Sequence, residues 1–256
     1  MKQAAISAMK KLLFIGCLIL ITACQSTTAS QTPEPSFFPT STLPPSPISA
    51  TFTPKPTLPP TPSPTSFPRL FTTTFDASLA GWVILQTGNQ AVPNVRAESG
   101  RLILQMDSPY TWLYALYGAQ DYSDVRVETQ FTNRALTPAS VGVICRYSEE
   151  QGWFEFNILA DGTYNILFGK WLSPGIADYL PITDGSSRAI LPSGSNQKIG
   201  LICSKSILSL YINDSLVRNL NVSNYGLTKG KIGIAAASYE NTPIVVGFDS
   251  VTVSEP

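Results

Sequence analysis

The sequence predicts an all-β fold, a two-sheet antiparallel jelly-roll sandwich, and three observations predict it. Residues 69–256 show no sustained helical periodicity. They carry many short alternating runs rich in Val, Ile, Phe, Tyr and Thr, separated by Gly, Asn, Asp and Pro. About twelve such runs in one stretch of chain need two stacked sheets around a single core.

In chain order the predicted strands are Leu70–Phe75, Trp82–Gln86, Arg101–Met106, Asp124–Asn133, Ser140–Tyr147, Trp153–Leu159, Thr163–Phe168, Lys198–Ser204, Ile207–Ile212, Leu216–Leu220, Lys231–Ala237 and Val245–Val253. Trp82, just after Gly81, reads as a core anchor. Tyr110, Trp112, Tyr114 and Tyr117 crowd one stretch, with Trp112, Tyr114 and Leu116 alternating onto one side as core or as a binding rim. Ala160-Asp161-Gly162 reads as a three-residue hairpin loop with Gly162 left-handed. That register sets Phe156 opposite Ile166 and Phe154 opposite Phe168. It gathers the apolar residues of both strands on one face. Asn213-Asp214 reads as a two-residue hairpin loop of the primed type.

The same register puts Trp153, Glu155, Asn157 and Asn165 on the opposite face. If Cys145 points to the core, Arg146 joins them. An aromatic ring that stacks on a pyranose, among planar polar groups that pair with adjacent hydroxyls, suits a sugar site. Trp171, beside Ser173-Pro174-Gly175, is expected as an exposed, loop-borne platform next to that face. The alternative for the same residues is a solvated face with a weak Arg146–Glu155 ion pair.

The chain contains no histidine. Ser-His-Asp and Cys-His nucleophilic machinery is excluded, and so are His-rich zinc sites. Any catalysis would rest on carboxylates, Lys, Tyr or Arg.

Residues 25–68 are a different material. Of these 44 residues, 31 are Pro, Ser or Thr. Such a tract favours polyproline II and cannot build a core. It is expected to be a disordered stalk reaching about 130 Å when fully extended.

Upstream of it, Lys2, Lys10 and Lys11 precede an apolar stretch from Leu12 to Ile21, too short to span a bilayer as a stable helix. Ile21-Thr22-Ala23-Cys24 then resembles the lipobox of bacterial lipoproteins. The resemblance implies a signal over residues 1–23, lipidation of Cys24 and anchoring of residues 24–68 to a membrane from the extracytoplasmic side. Without the signal, 14 basic residues face 17 acidic ones, a net charge of −3. No basic cluster exists to hold nucleic acid. Of the four cysteines, Cys17 leaves with the signal and Cys24 takes lipid. Cys145 and Cys203 are expected to form a disulfide in an oxidising compartment, the alternative being two buried thiols. No feature sets an oligomeric state.

Residues 70–256 also carry Phe75-Asp76 with Gly81-Trp82, Gly100-Arg101-Leu102, Val141 to Tyr147, Trp153 to Asn157, Asp161 to Tyr164, Gly230-Lys231-Ile232-Gly233 and Gly247 to Val253. Their order resembles concanavalin A-like (LamG-like) jelly rolls, and the 3-keto-disaccharide hydrolase-like branch among them. The resemblance implies a sandwich that often meets glycans. It also implies a calcium possibility, for which Asp76 and Asp249 are the candidates. The acidic E-x-D-x-x-E strand motif of glucanase relatives is missing, since Asn157 stands two residues after Glu155. The sequence therefore points to a non-catalytic, surface-tethered domain that binds carbohydrate through Arg146, Trp153, Glu155, Asn157, Asn165 and Trp171, with no cofactor required. The alternatives are a glycoside hydrolase using Glu155 and a structural or protein-interaction module.

Overall fold

The computed structural model describes residues 67–256, apart from 77 and 136. The signal, Cys24 and residues 25–66 of the Pro/Ser/Thr-rich tract lie outside the described residues. Phe67 and Pro68, at the end of that tract, already touch the domain: Gln120 and Tyr117 donate to their carbonyls.

Fifteen strands occur among the described residues, with one 3-10 turn at Ser223–Tyr225 and no α-helix. They are β1 (Phe71–Thr73), β2 (Trp82–Gly88), β3 (Asn94–Glu98), β4 (Arg101–Met106), β5 (Thr111–Tyr122), β6 (Val125–Asn133), β7 (Ser140–Ser148) and β8 (Gly152–Leu159). There follow β9 (Thr163–Ser173), β10 (Ile176–Ser186), β11 (Asn196–Ser204), β12 (Ile207–Ile212), β13 (Ser215–Asn221), β14 (Gly230–Ala237) and β15 (Ile244–Ser254). An eight-stranded sheet runs β13-β12-β11-β6-β15-β4-β3, with β1 also on β15. A seven-stranded sheet runs β10-β9-β8-β7-β14-β5-β2. All pairings are antiparallel.

The inner faces of both sheets meet in one core. Phe154, Phe156, Ile166, Val143 and Ile234 come from the seven-stranded sheet; Phe131, Leu201, Leu210, Phe248 and Val251 come from the other. A disulfide between Cys145 on β7 and Cys203 on β11 joins the two sheets through this core.

All twelve expected strands are present. Gly162 is left-handed at φ +89°, and the predicted pairs Phe156–Ile166 and Phe154–Phe168 are the observed ones. Asn213 and Asp214 both take positive φ, closing β12 onto β13 at Ile212–Ser215.

Three strands were not expected, each for a physical reason. Strand β5 is buried on both faces over most of its length, so polar and apolar residues do not alternate along it. Strand β10 is an edge strand interrupted at Pro181 by a register shift. Strand β3 is a short edge strand whose Arg96 and Glu98 pair with each other, a composition that reads as loop.

Candidate functional site

The seven-stranded sheet has a second apolar layer on its outer face. Tyr114, Leu116, Ile144, Tyr147, Trp153 and Ala235 are buried there, with Leu85, Trp112, Trp171, Ala177 and Tyr179 packed against them. Trp153 lies at the centre with no exposed surface. Its ring centroid is 5.3 Å from that of Trp171, 5.5 Å from Tyr147, 5.7 Å from Tyr114 and 6.1 Å from Tyr179. Gly169 sits opposite Trp153 on β9, and a Cβ there would fall inside the indole. A glycine is what allows the ring to lie flat across the neighbouring strand.

A strap formed by the β9–β10 hairpin covers this layer. Strand β8 stops pairing with β9 at Trp153–Gly169, yet β9 runs on to Ser173 with only β10 beside it. That free tip reaches β2, at the other edge of the sheet. The hydroxyl of Thr87 on β2 donates to the Gly175 carbonyl at 2.9 Å and accepts from Ala177 N–H at 3.2 Å. In a flat sheet, edge strands separated by five others stand about 29 Å apart. The free tip beyond Gly169 bridges that gap by crossing over the outer face of the sheet.

Under the strap, Glu155 is 2% exposed. Trp153 Nε1 donates to its Oε2 at 3.0 Å and Asn157 Nδ2 to its Oε1 at 2.9 Å. Asn157 also donates to Asn165 Oδ1 at 3.3 Å. Burial pushes the Glu155 carboxyl upward, partly opposed by those two donors. The hydroxyls of Tyr114 and Tyr179 bond to each other nearby; burial, then the Glu155 charge, pushes both upward.

These positions correct the expected open face. Trp153, Glu155, Asn157 and Asn165 do come together on one side, but the first three are buried rather than open. Trp171 does stand beside Trp153, on a strand rather than a loop, and is half-buried. Its Nε1 donates to Tyr147 Oη at 2.8 Å.

Arg146 is not with them. A bulge in β7 between Cys145 and Ser148, with Arg146 at φ +54°, breaks the alternation. It turns Tyr147 under the strap and sends Arg146 to the end of the sandwich, so no Arg146–Glu155 ion pair exists.

Two cavities flank the strap, and Gly175 lines both. One, of about 400 Å³, is lined by Leu85, Gln86, Tyr147, Glu149, Trp171 and Lys231, among others. The other, of about 420 Å³, is lined by Thr87, Gln90, Trp112, Ile176 and Tyr179, among others. Sequence reasoning missed Thr87, Tyr147 and Tyr179. A lone threonine gives no signal, Tyr147 would face the core by simple alternation, and Tyr179 lies on the unrecognised β10.

The calcium candidates are otherwise engaged. Asp249 forms an ion pair with Arg101 and accepts from Asn196 Nδ2 at 3.0 Å, so a cation there would have to displace a guanidinium. Asp76 accepts from the Thr74 hydroxyl. No three Cys, Asp or Glu side chains gather among the described residues in a metal-holding group.

Two stacked antiparallel sheets with this strand order define a concanavalin A-like jelly-roll sandwich. Solved structures with the same fold include a Bacillus licheniformis β-glucanase, with a TM-score of 0.52 and 12% identity over 73% of this chain and 98% of that one. A Bacillus subtilis protein of unknown function with a galectin-like fold gives 0.54 and 14%, over 73% and 95% of the two chains. The carbohydrate-binding module CBM66 from Bacillus subtilis gives 0.50 and 14%, over 68% and 96%. No protein-family profile and no curated protein matches the sequence.

Proposed function

We propose that the chain is an extracytoplasmic lipoprotein, held to a membrane through Cys24, whose sandwich binds a saccharide without cleaving it. The observation that carries this reading is the cavity of about 400 Å³ beside the strap. Trp171 and Tyr147 offer aromatic surface for a pyranose, while Gln86, Glu149 and Lys231 offer hydrogen-bonding groups around it. The glucanase and carbohydrate-binding descriptions of proteins sharing the fold agree with a saccharide ligand, as does the ordered resemblance to LamG-like and 3-keto-disaccharide hydrolase-like domains.

The buried position of Glu155 supports binding over hydrolysis. Retaining glycosidases place two carboxyl groups about 5 Å apart at an open cleft. Here both Glu155 oxygens are taken by Trp153 and Asn157, and no second carboxylate is among its partners. Glu155 thus holds the aromatic layer in place, and Trp171 is the contact residue.

A glycan array probed with residues 67–256 tests the reading. Retention of neutral oligosaccharides, with no release of shorter products on prolonged incubation, is the expected result. Turnover of a bound oligosaccharide would instead establish the hydrolase.

A further inference from the structure

The bulge that turns Tyr147 under the strap buries a positive charge at the end of the sandwich. Arg146 is 1% exposed. Its Nε and Nη2 donate to the Ser123 carbonyl at 3.3 and 3.2 Å, Nη2 also to the Lys205 carbonyl at 2.6 Å, and Nη1 to the Leu227 carbonyl at 2.9 Å. A guanidinium has five N–H groups. These bonds use four, leaving one Nη1 hydrogen without a partner among the described residues.

All three acceptors are neutral. The one carboxylate near the guanidinium is Asp124, at 3.8 Å, half-exposed and already accepting the Lys205 N–H at 2.7 Å. A buried cation compensated so weakly is costly. Burial accordingly pushes the Arg146 guanidinium downward.

The backbone is also committed to this arrangement. Arg146 and Lys205 both hold left-handed φ, at +54° and +51°, where non-glycine residues are strained. A Cβ on Gly230 would sit 2.5 Å from the Arg146 carbonyl carbon, so only glycine fits beside the bulge. A cavity of about 290 Å³ opens at this point, lined by Arg146, Lys205 and the hydroxyl residues Ser206, Ser223 and Thr228, with Asp124 the one acid.

We propose that this end cavity is a separate ligand site that takes a small oxyanion, such as a sulfate, phosphate or carboxylate group. The anion supplies the charge that Arg146 lacks, accepts its free Nη1 hydrogen and meets Lys205 and hydroxyls on the surrounding turns. The cavity is built from the β5–β6 turn, the end of β7, the β11–β12 turn and the segment between β13 and β14, not from the strap. The site is thus independent of the saccharide reading.

The test is titration of the folded domain with sodium sulfate, sodium phosphate and sodium acetate, each against sodium chloride at equal ionic strength. Backbone amide NMR shifts provide the readout. Saturable shifts at Lys205 and Thr228 with at least one oxyanion, at about millimolar Kd, are expected. The three salts separate tetrahedral from planar ligands. Lys205→Ala and Thr228→Val leave the Arg146 hydrogen bonds to carbonyls intact, so they fold; each is expected to weaken binding about fivefold or more. The proposal is overturned if no oxyanion differs from chloride, if the shifts centre elsewhere, or if neither variant weakens binding.

Discussion

Thr87 donates its hydroxyl to the Gly175 carbonyl at 2.9 Å and so ties β2 to the tip of the β9–β10 hairpin, two elements at opposite edges of one sheet. Because the same oxygen accepts from Ala177 N–H, one side chain satisfies both backbone groups of the strap. Thr87→Val keeps the shape and removes both bonds. A local loss of about 1–3 kcal/mol is expected, because two backbone groups lose their partners. Hydrogen exchange at the Ala177 amide should quicken by about tenfold or more while core strands stay protected. Unchanged exchange would mean that packing alone closes the strap.

Gly169 is the floor on which Trp153 lies. Gly169→Ala drives a methyl into the indole, so the ring or β9 must shift. Overpacking of this kind costs about 1–3 kcal/mol. Urea unfolding followed by tryptophan emission should show a lower midpoint with an unchanged slope. A midpoint equal to that of the parent would show that the aromatic layer is loosely packed.

Glu155 makes stability depend on pH. Its carboxyl is raised above the ordinary 4.5 by burial. The folded protein keeps the proton at pH values where the unfolded chain has lost it. Stability therefore falls as pH rises from about 4.5 through the raised folded value, and is level above that. In Glu155→Gln this contribution disappears. Measured by urea titration from pH 4 to pH 8, parent stability should fall relative to that of the variant as pH rises. A pH-independent difference would show that Glu155 titrates alike in the folded and unfolded chain, contrary to a carboxyl raised by burial.

The cross-sheet disulfide closes a long loop, with Cys145 and Cys203 58 residues apart. Replacing both by alanine should cost about 4 kcal/mol in the chain-entropy picture. Denaturant unfolding of the double variant checks the figure. Because Arg146 follows Cys145 and bonds the Lys205 carbonyl, the end cavity should loosen with it, seen as faster exchange at the Lys205 amide.

Much of this was legible in the sequence, and the misses are local. Alternation and turn residues placed twelve strands, and the Gly162 loop set the β8–β9 register correctly. They also placed Trp153, Glu155, Asn157 and Asn165 on one side. Alternation fails where one residue is inserted, and Arg146 is that residue: a bulge exchanges the faces of everything after it. The strap was illegible because β10 contains Pro181 and has exposed side chains, and because its latch is one threonine distant in sequence. Glu155 is buried beneath that aromatic layer and strap, so an isolated strand pattern read as an open face.

In the proposed function the saccharide occupies the cavity beside the strap, on the Trp171 side. Isothermal titration of an oligosaccharide retained on the array, against the parent, Trp171→Ala and Trp112→Ala, tests it most directly. Trp112 lines the other cavity. The expected result is a loss of about tenfold or more in affinity for Trp171→Ala, worth about 1.4 kcal/mol, with Trp112→Ala close to the parent. Equal affinity for parent and Trp171→Ala, with both folded, would contradict the account.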